Sequence, residues 1–163
     1  VDTSNATNFT ASVNSSTGLL TITPNAGFVG TFEVTVGVRQ DPTISTINDQ
    51  FDRQSFTVTV NPATPSVPDL LDVSDLGASA TDNITKGGSW QFTVGGVTNG
   101  ATVRLFSGNT LLGSAVASGT TATIAFDSSV LGDGQHQITA EQSVTVTQNN
   151  QQVTQTSARS LPL

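Results

Sequence analysis

The sequence has no cysteine, no methionine and no tyrosine, and only one tryptophan and one histidine. Without cysteine there are no disulfides, no thiolate metal ligands and no thiol nucleophile. A single histidine excludes a zinc site that draws on several His or Cys ligands. Basic residues are scarce: 5 Lys+Arg stand against 12 Asp+Glu, a net charge of -7. Neutralising a phosphate backbone takes clustered Lys and Arg, so nucleic acid is excluded as a partner. No apolar run approaches the roughly 20 residues that a membrane-spanning helix requires. Charged residues make up 10% of the chain, against roughly 25% in an ordinary globular domain. Thr, Ser, Val, Gly, Asn and Gln take their place, and β-branched residues suit a pleated surface. The 163 residues suffice for one domain or two small β-domains.

Apolar residues alternate with polar ones along most of the chain, and no stretch carries a helical period. Phe9, Ala11 and Val13 mark a first strand, Leu20 and Ile22 a second, and residues 31–39 the clearest third, with Phe32, Val34, Val36 and Val38 on one face. A polar loop over residues 40–50 precedes a fourth, carrying Phe56, Val58 and Val60. Four strands are too few to close a sandwich alone, which predicts that strands of this first domain lie upstream. Pro62, Pro65 and Pro68 then read as a short, semi-rigid, extended linker over residues 62–68. Both ends of the chain read as cut, as in a piece of a longer protein.

Beyond the linker, residues 69–82 read as a loop with four aspartates. Strands follow around Trp90, Phe92 and Val94; over residues 101–106 and 110–117; around Ala122, Ile124 and Phe126; from about His136 to Gln148; and from Val153 onward. Asn149-Asn150 suits a reversal, since Asn tolerates the left-handed region. Six or seven short strands at regular spacing predict a second β-sandwich.

Specific segments carry a family resemblance. Thr17-Gly18-Leu19-Leu20-Thr21-Ile22-Thr23-Pro24, Gly27-Phe28-Val29-Gly30-Thr31-Phe32 and Phe56-Thr57-Val58-Thr59-Val60 resemble the second half of cadherin-like domains in large bacterial surface proteins. Pro68-Asp69-Leu70, Ser74-Asp75-Leu76-Gly77, Asp82-Asn83-Ile84-Thr85, Gly100-Ala101-Thr102-Val103 and Leu131-Gly132-Asp133-Gly134-Gln135-His136 resemble bacterial Ig-like repeats of giant adhesins. The pair in this order also resembles the tail behind cyclophilin-type domains in some planctomycete proteins, but no part of that isomerase barrel is present. The resemblance implies an all-β chain of two sandwich modules in tandem: a partial cadherin-like module over residues 1–61, the linker, and an Ig-like module over residues 69–163. It further implies an extracellular or cell-surface setting in a bacterium, and calcium near domain junctions. The first module departs from the aspartate-rich linker of animal cadherins, which Asn48-Asp49-Gln50 only echoes, and Asn61-Pro62 stands where calcium ligands would be expected.

Asp69, Asp72, Asp75, Asp82 and Asn83 offer the hard oxygens that Ca²⁺ takes in sets of six to eight. Asp69, Asp75, Asp82 and Asn83 are the candidate ligands; the alternative is a solvated loop whose aspartates bond to their own backbone. His136 has no activated serine elbow to serve and reads as the start of a strand. Trp90 shares its phase with Phe92 and Val94, which makes it a core residue rather than a sugar platform. Lys86, the sole lysine, sits beside two glycines and reads as a solvated charge. Asn5, Asn8, Asn14 and Asn83 each head an Asn-x-Ser/Thr sequence, consistent with surface exposure. The function expected is a non-catalytic spacer or adhesive module, possible calcium aside without cofactor. Its partners would be neighbouring domains of the same protein or, through open strand edges, other subunits. The alternatives are an accessory or glycan-binding module of a secreted enzyme, and a strand-exchanging filament subunit.

Overall fold

The computed structural model of the chain describes residues 7–39 and 51–163. The expected loop at 40–50, with Asn48-Asp49-Gln50, lies outside the described residues, as does Asn5. Among the described residues the chain is all β apart from one 3-10 turn, in antiparallel sheets. It divides into two compact units, Val1–Val60 and Asn61–Leu163.

The first unit holds β1 (Phe9–Val13), β2 (Leu20–Pro24), β3 (Gly30–Arg39) and β4 (Phe51–Val60). They pair as two hairpin-like ribbons, β1 with β2 and β3 with β4. Alternation decides which face turns inward: Phe32 and Val34 are buried while Glu33 and Thr35 between them are exposed. Phe9 of β1 stacks on Phe32 of β3 with ring centroids 4.4 Å apart, and Phe28 tilts against Phe32 at 5.6 Å. Aromatic pairs of this kind add to area burial and join the two ribbons.

The second unit holds seven strands: β5 (Asp69–Leu70), β6 (Ser89–Gly95), β7 (Thr102–Ser107), β8 (Thr110–Val116), β9 (Thr121–Asp127), β10 (Ile138–Gln148) and β11 (Gln151–Thr156). One sheet has the order β5-β6-β9 and the other β11-β10-β7-β8. Residues from both meet in one apolar core, which includes Phe92, Val94, Ile124 and Phe126 from the first sheet and Val103, Leu105, Ile138 and Ala140 from the second. Gly113 of β8 is needed where the sheets come close, because a Cβ there would lie 3.0 Å from Ile124 Cγ2. An irregularity between Leu105 and Phe106 lets two consecutive residues be buried, Leu105 in the core and Phe106 under the guanidinium of Arg159, which lies 3.9 Å from the ring centroid. Asn149 and Asn150, both at positive φ, close the β10–β11 hairpin.

Three expectations change. Asp69 belongs to a short strand and not to the loop, since Asp69-Leu70 pairs with Thr93 and Phe92. The tenth strand begins at Ile138, two residues later than His136, because the imidazole Nε2 is held at 2.7 Å from the Gly132 carbonyl and keeps the 132–136 segment curled. The Pro-rich stretch, expected as a semi-rigid linker over residues 62–68, is bonded to the second unit: Ser66 N–H donates to Gly95 O, the Gln142 amide donates to Ala63 O, and Pro68 is fully buried. It is the leading edge of the second unit.

Candidate functional site

Two places in the second unit gather polar groups, one at each pole. At the pole where the chain comes in, Gln142 is fully buried on β10. Its Oε1 accepts from Thr98 N–H at 2.8 Å, and its Nε2 donates to Ala63 O at 2.7 Å and to Gly96 O at 3.4 Å. One side chain thereby ties the leading segment, the β6–β7 turn and β10 together. A buried amide left without partners is costly, so full satisfaction is what permits a glutamine there. Gln142 is in phase with Ile138, Ala140 and Val144, and this break in an apolar face was its sequence signal.

At the opposite pole the acidic loop forms one wall of a cavity of about 560 Å³. Asp75 is buried; its Oδ2 accepts from Asn83 N–H at 2.9 Å, while its Oδ1 has no hydrogen-bond partner. Asn83, at φ 58, turns its Oδ1 back to Leu70 N–H at 3.3 Å and so fastens the loop to β5. Ser74 Oγ accepts from Gln91 N–H, and Thr85 Oγ1 donates to Ser74 O at 2.6 Å. Asp82 Oδ1 accepts from Ile84 N–H at 3.1 Å, within its own turn.

Of the four expected calcium ligands, Asp75 and Asn83 are thus brought together, whereas Asp69 is exposed on β5 and Asp82 caps its neighbour. Among the described residues no three of His, Cys, Asp and Glu are gathered to hold a metal. Among the described residues, Asp75 Oδ1 is a buried carboxylate oxygen without a hydrogen-bond partner. Loop shape here follows from hydrogen bonds to the backbone.

The cavity is lined by buried Leu70, Phe92 and Ile138, by half-buried Trp90, His136 and Leu163, and by exposed Asp82, Asn83, Ile84 and Gln135. Trp90 is half-buried and packs on the core, as its phase predicts, but it also faces this cavity. Its indole N–H donates to Lys86 O at 2.9 Å, and its ring meets Phe126 edge-on at 5.9 Å. Lys86 is exposed. Nearby, Asp127 caps the 3-10 turn Ser128–Val130; the Ser129 N–H on its carboxylate, followed by the Ser129 side chain, holds its pKa below the usual value of 3.8.

Fold and site together define an all-β, sandwich-like protein. Compared with protein-family models, with curated proteins and with solved structures, the chain has no match.

Proposed function

We propose that the chain is a non-catalytic spacer module of a larger extracellular bacterial protein, built to carry tension from one end of its second unit to the other. The observation behind this reading is the direction of its first and last segments. Leading residues bond to β6 in the order Ser66–Gly95, Asp69–Thr93 and Leu71–Gln91. Trailing residues bond to β10 in the order Ser157–Gln142, Ser160–Ala140 and Leu163–Ile138. Gln142 lies level with Gly96, which it touches, and Ile138 with Phe92 across the cavity. Both segments therefore run the same way, and the chain comes in at one pole and goes out at the other. Tension along this axis loads both sets of bonds in shear, so that many must break together.

The trailing segment is fastened beyond its backbone. Ser157 and Ser160 accept from Gln142 N–H and Ala140 N–H through their hydroxyls. Arg159 covers Phe106 and lies 3.6 Å from Glu141. An acidic, cysteine-free composition suits a soluble array outside the cell.

Single-molecule pulling of the full chain tests the proposal. Handles at residues 61 and 163 are expected to give a clearly higher unfolding force for the second unit than handles at residues 108 and 163. Gly108 and Arg159 are hydrogen-bonded neighbours, so the second geometry peels strands one bond at a time. Equal forces in the two geometries would sink the reading.

A further inference from the structure

We propose that the cavity at the outgoing pole of the second unit is a binding site for a neutral saccharide ring. This goes beyond the spacer reading and does not rest on it. The volume, about 560 Å³, falls in the range of small-molecule sites, roughly 300–1,000 Å³. Its lining is divided as a sugar is divided. A pyranose presents a patch of C–H groups on its face and hydroxyls at its edge; the cavity's buried and half-buried lining includes Phe92, Ile138 and Trp90, and its exposed lining carries Asn83, Gln135 and Asp82 beside Ile84.

The exposed lining has hydrogen-bonding capacity to spare. Asn83 uses its carbonyl oxygen on Leu70 N–H, and Asp82 uses Oδ1 on Ile84 N–H. This leaves the Asn83 amide N–H₂ and Asp82 Oδ2 to meet hydroxyls, which both donate and accept. Gln135 is exposed and contributes a whole amide. No Lys or Arg lines the cavity, and the chain carries a net charge of -7, which disfavours an anion. A single exposed carboxylate gives no cage for a cation. A neutral polyol is the ligand chemistry that remains.

The site is also preformed. Trp90 is fixed by its bond to Lys86 O and by Phe126. Asn83 is fixed by Asp75, whose Oδ2 accepts from its N–H. A site held this way avoids much of the ordering cost of binding.

Trp90 is the only tryptophan in the chain and lines this cavity, so its emission responds to a ligand bound there. The full chain would be titrated with glucose, galactose, N-acetylglucosamine, lactose, maltose and cellobiose. At least one is expected to change Trp90 emission saturably, with a Kd on the order of millimolar, typical of few-contact sites. Gln135→Ala removes an exposed amide that bonds to nothing else in the described structure, and is expected to weaken binding roughly threefold to tenfold. Gln152→Ala, on the exposed part of β11, should leave binding unchanged. No saturable response to any of the six sugars overturns the proposal, and so does a response identical in the wild-type chain and Gln135→Ala.

Discussion

Gln142 ties three segments of the second unit together through one side chain. Replacing it by leucine keeps the volume but removes the bonds to Thr98 N–H and Ala63 C=O, its partners at 2.8 and 2.7 Å. Both partners lie on exposed residues and can turn to water, so the loss is that of two hydrogen bonds at about 0.5–1.5 kcal/mol each, and Gln142→Leu is expected to lower stability by about 1–3 kcal/mol. Denaturant unfolding followed by Trp90 emission measures this, with the exposed Gln152→Leu as a control expected within about 0.5 kcal/mol of the wild type. Similar midpoints for the two variants would mean that the leading segment is held by something other than this amide. Asp75 makes a related point: a buried carboxylate bonded to Asn83 N–H shapes the loop from inside. Spacing along the sequence suggested four candidate oxygens of equal standing, and only folding separates the buried Asp75 from the exposed Asp69 and Asp82.

Among the elements, the loop between β5 and β6 is the least regular and the most closely fitted. Gly77 sits where a Cβ would come 2.3 Å from the Ile84 carbonyl oxygen. The atom met is backbone and the Cβ position is fixed by the chain, so no side-chain rotation can relieve it. Gly77→Ala is expected to push the 82–85 segment away and to cost about 1–3 kcal/mol, the usual scale of overpacking. Amide exchange provides the check: Asn83 N–H, which donates to Asp75, should lose protection while the β7–β10 ladder keeps its own. Unchanged protection at Asn83 would show that the loop yields without strain. The strands themselves were legible because alternation is a local signal: β3, β6, β9 and β10 begin within one or two residues of where the apolar phase begins. The loops were not, because their form depends on partners far along the chain, such as Ser74 with Gln91.

At the scale of the whole molecule the two units differ in how much apolar surface they bury. Among the described residues, the buried hydrophobic side chains of the first unit are Phe32 and Val34, whereas the second has a continuous cluster from Leu70 to Ala140. Burial contributes about 25 cal/mol per Å², so the first unit is expected to melt first. Heating should give two transitions by circular dichroism, with Trp90 emission, which belongs to the second unit, following only the later one. A single transition coincident in both signals would mean that the units unfold as one.

The sequence by itself determined the all-β class, the positions of most strands and the absence of any thiol or multi-histidine ligand set. Each of these follows from composition or from a two-residue period, which are properties of neighbours in the chain. Tertiary structure alone decided that the Pro-rich stretch is bound to Gln142 and Gly95, that Asp75 is buried while Asp82 is not, and that Trp90 serves the core and a cavity at once. The reason is physical: those outcomes depend on which groups meet across the sandwich, and pairs such as Ala63 with Gln142 are 79 residues apart.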